Sequence, residues 1–512
     1  MHLSELLGRV PKGTVLWSSL PQRGDPVISG ISYDTRRLHP GDLFIAVRET
    51  NGDGHAFIQR AVELGASAVV VERAPANQLE CPVVLVENSK RVLASLSAAF
   101  FNQPGFRLRL IGVTGTDGKT TTTELAAQLL RGGGISAGFM TTVTLDFGRE
   151  RLDNTTRQTT LESPDIQAGL AKMLANGSQV AVLEATSHAL ALHRLESCPF
   201  DTAIVTNVTH EHLDFHGTWD NYVMAKAHLL ELVATFARSK PGTKTILLNK
   251  DDQRSYERLK RHVPIPHLTY GLQSGIDLQA TDILADSHGL RFTMHTPWGT
   301  IRIATPLVGE FNVYNCLAAT GAALIEGVTL DSIAETLQQA QPVPGRMERI
   351  DEGQSFTVIV DYAHTADSIH QVLTILRRQT SGALWAVFGS AGERDREKRP
   401  AMGAIAARLC DHFVLTNEDP RREDPACILD EIAKGAERLG RQRNRDFFCI
   451  IDRRAAIAFA FEHCRVGDTV LLAGKGHEQC ILVGDDKLPW DDRIVARELL
   501  RGLALQETTP PQ

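Results

Sequence analysis

The chain has 512 residues, of which 43% are hydrophobic and 22% are charged, proportions typical of a soluble globular protein. Its formal net charge of −7 argues against a nucleic-acid-binding surface. No apolar run approaches the length of a membrane helix, the first residues lack a signal-peptide pattern, and the eight cysteines include no Cys-x-x-Cys pair. We therefore expect a cytoplasmic protein of about three domains, with no membrane insertion.

Residues 1–105 are predicted to form a small α/β domain. Strands are expected at Pro26–Ile31, Asp42–Val47, Ala68–Val71 and Pro82–Val86, and helices at His55–Leu64 and Lys90–Phe101. Two polar turns, Ser32–Arg36 and Glu49–His55, follow strands in this region. Such turns are either solvated and capped by their own side chains or form a site for a polar ligand at the strand ends, and both interpretations remain open.

The central region, residues 106–343, begins with a glycine-rich turn between a strand and a helix. The apolar run Leu108–Val113 predicts the strand, Glu124–Leu130 predicts the helix, and Gly115-Thr-Asp-Gly-Lys-Thr-Thr121 lies between them. Glycine backbone lets several N–H groups converge on phosphate oxygens, and a helix N-terminus adds its positive dipole end. In such a loop Lys119 reaches the β/γ-phosphates and the Thr120 hydroxyl binds Mg²⁺.

Strands and helices then alternate, which predicts a parallel sheet. The expected elements are a helix at Pro164–Ala175 and strands at Val180–Leu183, Thr202–Val205 and Thr245–Leu248. Ligands of such sheets bind beyond the carboxyl ends of the strands. Because Glu184 and His212 follow two of these strands, we interpret them as candidate ligands of Mg²⁺.

Residues 344–505 are predicted to form a second doubly wound, Rossmann-like α/β domain. Apolar runs that begin at Val358, Ala386, Phe413 and Val470 each end in a glycine-rich or charged turn. Ordinary capped turns remain an alternative to a ligand site here. Residues 506–512 are rich in Pro and Thr and are predicted to be a disordered tail.

Several motifs follow one another in a fixed order. They are Gly115–Thr121, Glu184–His188, Thr206–Asp214, Tyr222-x-x-Ala-Lys226, Gly309–Asn315, Pro344–Glu348 and Asp361–His364. In order and spacing they resemble the Mur ligases, ATP-dependent amide-forming enzymes of bacterial cell-wall precursor synthesis. The resemblance extends from about Ile28 to Leu500. It is closest to the MurE branch, which adds the third residue to UDP-N-acetylmuramoyl-L-alanyl-D-glutamate.

The resemblance implies a UDP-sugar-binding N-terminal domain, a central P-loop ATPase-like domain and a C-terminal amino-acid-binding domain, each with its own site residues. The expected ATP-binding residues are Gly115, Thr116, Asp117, Gly118, Lys119, Thr120, Thr121, Asn315 near the adenine, Arg346, Asp361 and His364. The expected UDP-MurNAc-dipeptide contacts are Tyr33, Thr35, Thr50, Asn51, Gly52, Gln158, Thr159, Thr160, Thr186, Leu192 and Arg194. The expected amino-acid contacts are Arg394, Glu418, Asp419, Pro420, Arg421, Gly474 and Glu478. Asp117 and Gln158 stand where relatives carry Asn, and Leu192 stands where some carry Gln.

The resemblance also implies the chemistry. The D-glutamyl γ-carboxylate attacks the γ-phosphate of ATP, and an amine then displaces phosphate from the acyl phosphate. The expected catalytic residues are Lys119, Lys226 and His212. Two Mg²⁺ ions are expected, held by Thr120, Glu184, His212 and Lys226, the last as a carbamate (N6-carboxylysine). Less close alternatives are a MurF-like or folylpolyglutamate-synthase-like ligase, or a non-catalytic nucleotide-binding protein. We expect a monomer.

The incoming amino acid depends on one motif. Relatives that add meso-diaminopimelate carry Asp-Asn-Pro-Arg, and this chain has Glu418-Asp419-Pro420-Arg421. The planar guanidinium of Arg421 favours a substrate with a distal carboxylate. Asp419 argues the other way, because its charge would repel that carboxylate. The motif favours meso-diaminopimelate, while L-lysine and L-ornithine remain open.

Overall fold

The computed structural model describes residues 1–49, 52–156, 158–209, 211–237, 239–263, 265–286 and 289–507. The chain divides into two units. Unit 1 consists of Met1–Ile283, Arg291–Thr305 and Phe311–Ala340, and unit 2 consists of Leu284–Leu290, Pro306–Glu310 and Gln341–Gln512. Within the described ranges, every helix is too short or too polar to span a bilayer.

The N-terminal part of unit 1 has the predicted α/β character. Its strands are β1 (Val15–Ser18), β2 (Gly30–Ser32), β3 (Asp42–Ile45), β4 (Arg48–Glu49), β5 (Gly52–Asp53), β6 (Ala68–Val71) and β7 (Val83–Val86). Its helices are α1 (Leu3–Gly8), α2 (Leu20–Arg23), α3 (Ile58–Glu63) and α4 (Ser89–Phe100), with a 3₁₀ turn at Gly54–Phe57. Five strands form a sheet in the order β1-β7-β6-β3-β2, in which only β1 is antiparallel to its neighbour.

Alternate residues of the central strand β6 pack into two different cores. Ala68 and Val70 belong to one hydrophobic cluster, and Val69 and Val71 belong to another. All four are fully buried, because helices and loops cover both faces of the sheet. A strand covered on both faces has a continuous apolar sequence, which is why the sequence predicts the bounds of β6 correctly.

The remainder of unit 1 is built on an eleven-stranded sheet. Its strands are β8 (Arg109–Thr114), β9 (Ala137–Met140), β10 (Thr144–Asp146), β11 (Arg151–Asp153), β12 (Val180–Glu184), β13 (Thr202–Val205), β14 (Thr245–Asn249), β15 (His267–Gly271), β16 (Leu278–Asp286), β17 (Gly289–Thr296) and β18 (Gly299–Thr305). Its helices are α5 (Lys119–Gly132), α6 (Ser163–Ala175), α7 (Ser187–Ala191), α8 (Leu213–His216), α9 (Trp219–Thr235), α10 (Gln253–Leu259), α11 (Phe311–Ile325) and α12 (Leu330–Gln338), with 3₁₀ turns at Pro104–Phe106 and Lys260–His262.

The strand order of this sheet positions the site. The order is β11-β10-β9-β12-β8-β13-β14-β15-β16-β17-β18, and β9, β12, β8, β13, β14 and β15 run parallel. Strand β8 therefore lies between β12 and β13, with Glu184 level with Val113 and Val205 level with Thr114. The carboxyl ends of β12 and β13 thus lie on either side of the glycine-rich turn that follows β8.

Unit 2 contains a second, mostly parallel sheet, as predicted. Its strands are β19 (Glu348–Ile350), β20 (Thr357–Asp361), β21 (Leu384–Phe388), β22 (His412–Leu415), β23 (Phe447–Cys449), β24 (Thr469–Ala473), β25 (Cys480–Val483) and β26 (Asp486–Pro489). Its helices are α13 (Ala366–Gln379), α14 (Lys398–Leu409), α15 (Pro425–Glu437), α16 (Arg453–His463) and α17 (Asp492–Glu507). The order is β19-β20-β24-β21-β22-β23, with β19 antiparallel, while β25 and β26 form a separate hairpin.

The structure differs from the sequence predictions mainly at the ends of elements. The run predicted as a strand at Pro26–Ile31 contains only the start of β2, and the predicted helix at His55–Leu64 begins with a 3₁₀ turn. Helix α17 continues to Glu507 and so includes the first two residues of the predicted tail. Residues 508–512 lie outside the described residues.

Candidate active site

The glycine-rich turn after β8 is held by the segment after β13. Thr116 N–H donates to the Asn207 carbonyl at 2.8 Å, Asp117 N–H donates to Asn207 Oδ1 at 2.9 Å, and the Thr206 hydroxyl donates to the Asp117 carbonyl at 2.6 Å. A Cβ on Gly115 would lie 1.7 Å from Thr206 Oγ1, so this close approach requires glycine. The turn is therefore rigidly shaped by its neighbour, and α5 begins directly after it.

Two lysines converge on one carbonyl of this turn. Lys119 Nζ donates to the Gly115 carbonyl at 3.2 Å and to the Thr116 carbonyl at 2.7 Å, and Lys226 Nζ donates to the Gly115 carbonyl at 2.6 Å. Lys226 is 1% exposed, and its ammonium lies 4.3 Å from the Tyr222 ring centroid. Burial lowers the pKa of Lys226 well below its ordinary value, and the charge of Lys119 adds to this shift.

The predicted metal ligands lie at the carboxyl ends of strands and at the start of α5. Glu184, at the end of β12, is 1% exposed and accepts from Thr142 N–H at 2.9 Å, and Thr120 is 5% exposed. His212 is exposed, has a left-handed backbone (φ 56°), and its ring lies 4.6 Å from that of His188. The hydroxyl and carboxylate oxygens of Thr120 and Glu184 are hard donors, and this set fits Mg²⁺.

The predicted dipeptide contacts meet at Thr160. The Thr160 hydroxyl donates to the Glu184 carbonyl at 2.8 Å and accepts from Thr186 N–H at 3.0 Å. Arg194 Nη1 donates to the Thr160 carbonyl at 2.9 Å, and Arg194 Nη2 is 2.6 Å from Glu162. These contacts connect the predicted dipeptide residues Thr160, Thr186 and Arg194 to the residue that bears the candidate metal-binding carboxylate. Three further predicted dipeptide residues are half-buried, namely Gln158, Thr159 and Leu192.

The predicted UDP-sugar turn lies against the start of α6. Arg37 Nη2 is 2.7 Å from Asp165 on that helix. Burial raises the pKa of Tyr33 to about 12, and the negative charges of Glu162 and Asp165 contribute to the shift. Thr35 is half-buried in this turn, and Gly52 is exposed in β5. Thr50 and Asn51 lie outside the described residues.

Asn315 packs against the glycine-rich turn and the start of α5. Its Oδ1 accepts from the Thr122 hydroxyl at 3.1 Å, and its Nδ2 donates to Asn312 Oδ1 at 2.8 Å. A Cβ on Gly118 would lie 2.5 Å from Asn315 Oδ1, and Gly118 has φ 80°. Asn315 therefore supports the turn that starts α5, and its predicted place near the adenine remains a prediction.

The nucleotide-facing residues predicted in unit 2 form a local cluster. Asp361 accepts from Met347 N–H at 2.7 Å and from Ala363 N–H at 2.8 Å, and burial raises its pKa although Arg346 opposes the shift. The Arg346 guanidinium lies 4.6 Å from the Tyr362 ring centroid, and its buried Nε has no hydrogen-bond partner in the described parts of the chain. His364 Nδ1 lies 2.8 Å from the Tyr362 carbonyl oxygen.

Two of the acidic residues predicted at the amino-acid site contact Lys475, a residue for which the sequence predicts no role. Lys475 Nζ is fully buried, 2.8 Å from Asp419 Oδ1 and 2.5 Å from Glu478 Oε2. Burial alone would lower the pKa of Lys475, but the charges of Glu478 and Asp419 outweigh it and raise the pKa. The signal in the sequence was Gly474-Lys-Gly476, a lysine between glycines directly after a buried strand.

The remaining residues predicted at the amino-acid site differ in burial and in backbone conformation. Glu418 is 7% exposed, and Arg421 has a left-handed backbone (φ 54°). Neither Glu418 Oε2 nor Arg421 Nε has a hydrogen-bond partner among the described residues. A Cβ on Gly474 would lie 3.0 Å from Glu418 Oε2. Pro420 is buried, whereas Arg394 is exposed.

Three family models match consecutive parts of the chain. The Mur ligase family catalytic domain matches residues 27–101, the Mur ligase middle domain matches 113–323, and the Mur ligase glutamate ligase domain matches 345–476. A relative from Roseiflexus sp. (strain RS-1), named UDP-N-acetylmuramyl-tripeptide synthetase, is 47% identical over 487 residues, which cover 94% of this chain and 96% of the relative.

A relative from Geobacillus thermodenitrificans (strain NG80-2), named UDP-N-acetylmuramoyl-L-alanyl-D-glutamate–2,6-diaminopimelate ligase, is 42% identical over 502 residues, covering 98% of this chain and 99% of the relative. A solved structure of a ligase with the same name is similar with a TM-score of 0.65 and 32% identity, covering 95% of this chain and 96% of that chain. The resemblance inferred from the motifs is confirmed. The chain belongs to the Mur ligase family, whose members are ATP-dependent, Mg²⁺-using ligases of peptidoglycan precursor synthesis.

Proposed function

We propose that this chain joins meso-diaminopimelate to the D-glutamyl γ-carboxylate of UDP-N-acetylmuramoyl-L-alanyl-D-glutamate and converts ATP to ADP and phosphate. One observation carries the proposal: Glu184 joins two sets of residues. Its carboxylate is a candidate metal ligand beside the phosphate loop, and its carbonyl accepts the hydroxyl of Thr160, which contacts Thr186 and Arg194. The residues proposed for phosphoryl transfer and those proposed for the acyl substrate therefore meet at one residue, Glu184.

In the proposed first step a substrate carboxylate oxygen attacks the γ-phosphorus of ATP, the bond to the oxygen that bridges the β- and γ-phosphates breaks, ADP leaves, and an acyl phosphate forms. Both reactants are anionic, so cations must lower the barrier. Lys119, which now donates to the Gly115 and Thr116 carbonyls, would exchange these bonds for phosphate oxygens. Bound Mg²⁺, held by Thr120, Glu184 and His212, would add positive charge at the transferred phosphoryl group. The N–H groups of the turn and of the first turn of α5 would orient the phosphates.

In the second step the amine of the incoming amino acid attacks the acyl carbon. A C–N bond forms, the C–O bond to phosphate breaks, phosphate leaves with the electron pair, and the amine nitrogen releases a proton. Arg194 and the Thr160–Thr186 pair would hold the peptide so that its acyl carbon stays beside Glu184. Holding two reactants in place accounts for much of the rate gain in such reactions.

Lys226 is proposed to be carbamylated. A carbamate forms when a neutral amine attacks CO₂ and releases a proton, so the site requires an unprotonated lysine. Lys226 fits this requirement, because it is buried and no carboxylate lies within ion-pair distance of it in the described residues. The ammonium form cannot ligate Mg²⁺, whereas a carbamate offers two hard oxygens.

The choice of amino acid rests on unit 2. Asp419 would repel a distal carboxylate if its charge were free, but Lys475 and the Leu482 N–H occupy Asp419 Oδ1. Arg421 Nε and Glu418 Oε2 lack partners among described atoms. The distal end of meso-diaminopimelate carries both a carboxylate and an ammonium, which complement Arg421 and Glu418 respectively.

Lysine or ornithine is the second candidate. The unpaired Glu418 Oε2 favours it, because both amino acids end in an ammonium without a carboxylate. The two candidates are separated by competition among meso-diaminopimelate, lysine and ornithine at equal concentration, with ATP and the UDP-dipeptide, read by phosphate release and product mass. We expect at least a tenfold preference in kcat/KM for meso-diaminopimelate, about 1.4 kcal/mol. A tenfold preference for lysine or ornithine overturns the choice, and the absence of any peptide product overturns the ligase assignment.

We also propose domain boundaries at residues 1–105, 106–343 and 344–505. The three matched family segments support them, because each falls within one of these ranges. A monomeric state and a cytoplasmic location remain predictions. The remaining site assignments, including the UDP-sugar contacts, are proposals carried by the motif matches.

A further inference from the structure

A second cluster of metal-ligating side chains lies in unit 1, apart from the proposed magnesium ligands. It consists of His193, Glu196 and His228. Glu196 Oε2 is 3.0 Å from His193 Nδ1 and 3.0 Å from His228 Nε2. One ligand atom from each of the three residues lies within 4.8 Å of the other two. The side chains are 22%, 24% and 24% exposed, so an ion could enter from solvent and still be largely enclosed.

Different elements bring these three residues together. His193 and Glu196 lie on the turn after α7, and His228 lies on α9, 32 positions after Glu196. His193 has a left-handed backbone (φ 59°), a conformation that costs energy for a residue with a Cβ. The fold therefore maintains an unfavourable backbone at the residue that completes the cluster.

A surrounding set of contacts orients the candidate ligand atoms. Glu231 Oε2 lies 3.0 Å from His228 Nδ1. When neutral His228 donates Nδ1–H to Glu231, its lone pair is on Nε2, the atom that faces Glu196 and would bind the ion. Metal-binding histidines commonly donate their second ring N–H to a carboxylate in this way. Arg91 Nε lies 3.6 Å from Glu196 Oε1, which leaves Oε2 for the cluster.

The donor set identifies the class of ion. Two imidazoles and one carboxylate are typical ligands of Zn²⁺, whereas Mg²⁺ prefers a ligand set made mainly of oxygens. Tetrahedral zinc with bonds of about 2.0–2.1 Å places its ligand atoms roughly 3.3 Å apart. The two ligand distances of 3.0 Å are close to that value. In the metal-free form, protons must occupy the positions between these atoms, and a bound ion would replace them.

We propose that His193, Glu196 and His228 bind one Zn²⁺ ion, with a fourth position left for water. The ion would join the turn after α7 to α9. Arg194, a proposed dipeptide contact, lies on this same turn, so zinc occupancy would hold it in position. Zinc binding at this site does not depend on the proposed ligase activity, so each of the two proposals can be tested without the other.

The test measures zinc directly in the tag-free, full-length protein. The protein is stripped with a chelator, dialysed against Zn²⁺ in the presence of millimolar Mg²⁺, and its metal content is measured by mass spectrometry. We expect one zinc per chain in the wild type and a loss of affinity of at least ~10–100-fold in His228→Gln and Glu196→Gln. His463→Gln serves as the matched control, since His463 is an exposed helical histidine whose Nδ1 lies 2.7 Å from the Phe459 carbonyl oxygen.

A second measurement keeps the proposal testable if a variant folds poorly. Wild-type protein loaded with Co²⁺ should show the intense visible absorption of a tetrahedral site, and Zn²⁺ should displace that signal stoichiometrically. Wild-type protein without bound zinc, or zinc content equal in the wild type and Glu196→Gln, overturns the proposal. Octahedral cobalt absorption also overturns it, because that geometry does not match the three ligands and water.

Discussion

Two buried lysines show how environment decides the role of the same side chain. Lys226, in unit 1, is 1% exposed, and its ammonium contacts a backbone carbonyl and an aromatic ring. Lys475, in unit 2, is fully buried and contacts the carboxylates of Asp419 and Glu478. Burial penalises the charged form of both amines. Two carboxylates reverse that penalty at Lys475, and at Lys226 the nearby Lys119 increases it.

The opposite pKa shifts of Lys226 and Lys475 show that burial alone does not make a lysine reactive. Lys226 has its pKa lowered and is suited to act as a neutral nucleophile toward CO₂. Lys475 has its pKa raised, remains an ammonium, and serves as a fixed counter-ion. A lysine with two acidic partners neutralises those carboxylates in the interior, whereas a buried lysine without carboxylate partners can be uncharged and react.

The largest effect is expected at Lys119, the source of the positive charge beside Lys226. Lys119→Ala should reduce kcat by at least ~1,000-fold, about 4 kcal/mol, because the charge that develops on the transferred phosphoryl group loses its counter-ion. The measurement is phosphate release, with unfolding of the variant followed by circular dichroism. Lys260→Ala is the control, since Lys260 lies on the surface and forms an ion pair with Glu257. A Lys119→Ala enzyme that keeps more than about a tenth of the wild-type rate contradicts this role.

The second-largest effect is expected at Lys226, the lysine that we propose to be carbamylated. Lys226→Ala should lower kcat by ~100-fold or more, about 3 kcal/mol, and a short carboxylic acid should partly restore it by replacing the carbamate oxygens. Protein incubated with ¹³C-bicarbonate should show a carbamate resonance that is missing in Lys226→Ala. Lys119→Ala is the matched control for rescue, since an added acid cannot replace a cation. An unmodified Lys226 in the structure of a bicarbonate-treated nucleotide complex would contradict the carbamate assignment.

The Lys475→Met substitution tests whether the ion pairs of Lys475 stabilise the fold. The substitution leaves two carboxylates in the interior without a cation, and such a loss costs about 3–5 kcal/mol in the free energy of unfolding. Lys226→Met should change that free energy by less than ~1.5 kcal/mol, because no carboxylate is left unpaired. Denaturant titration of both variants measures the difference. Similar losses in the two variants would show that the carboxylates near Lys475 contribute little, and adding Asp419→Asn and Glu478→Gln to Lys475→Met should recover most of the stability.

The smallest effect is expected at Asp419. Lys475 already neutralises this carboxylate, so Asp419→Asn should shift the preference between meso-diaminopimelate and lysine by less than tenfold, under ~1.4 kcal/mol. Arg421→Ala should shift it further, because Arg421 would hold the distal carboxylate. Competition assays on both variants decide the point. A shift of more than tenfold toward meso-diaminopimelate in Asp419→Asn would show that Asp419 repels the substrate despite its pairing.

Local sequence signals were enough to predict several parts of this protein. Continuous valine runs predicted β6 because a strand covered on both faces needs apolar residues at every position. The glycines predicted the tight turn between β8 and α5, because close backbone approach and positive φ angles favour residues without a Cβ. The ends of elements were less predictable, since tertiary contacts decide whether a turn such as Gly54–Phe57 becomes part of a helix.

The partners of the site residues were decided only by the tertiary structure. The sequence shows Lys226 and Gly115 more than a hundred positions apart, and their hydrogen bond exists because β8 lies beside β13 and close to α9. The sequence likewise predicted a repulsive Asp419, and the fold places Lys475 against it from 56 residues away. Residue types and local spacing determine which chemistry is present. Long-range packing determines which charges are paired, because the energy of a buried charge depends on neighbours that the linear order does not reveal.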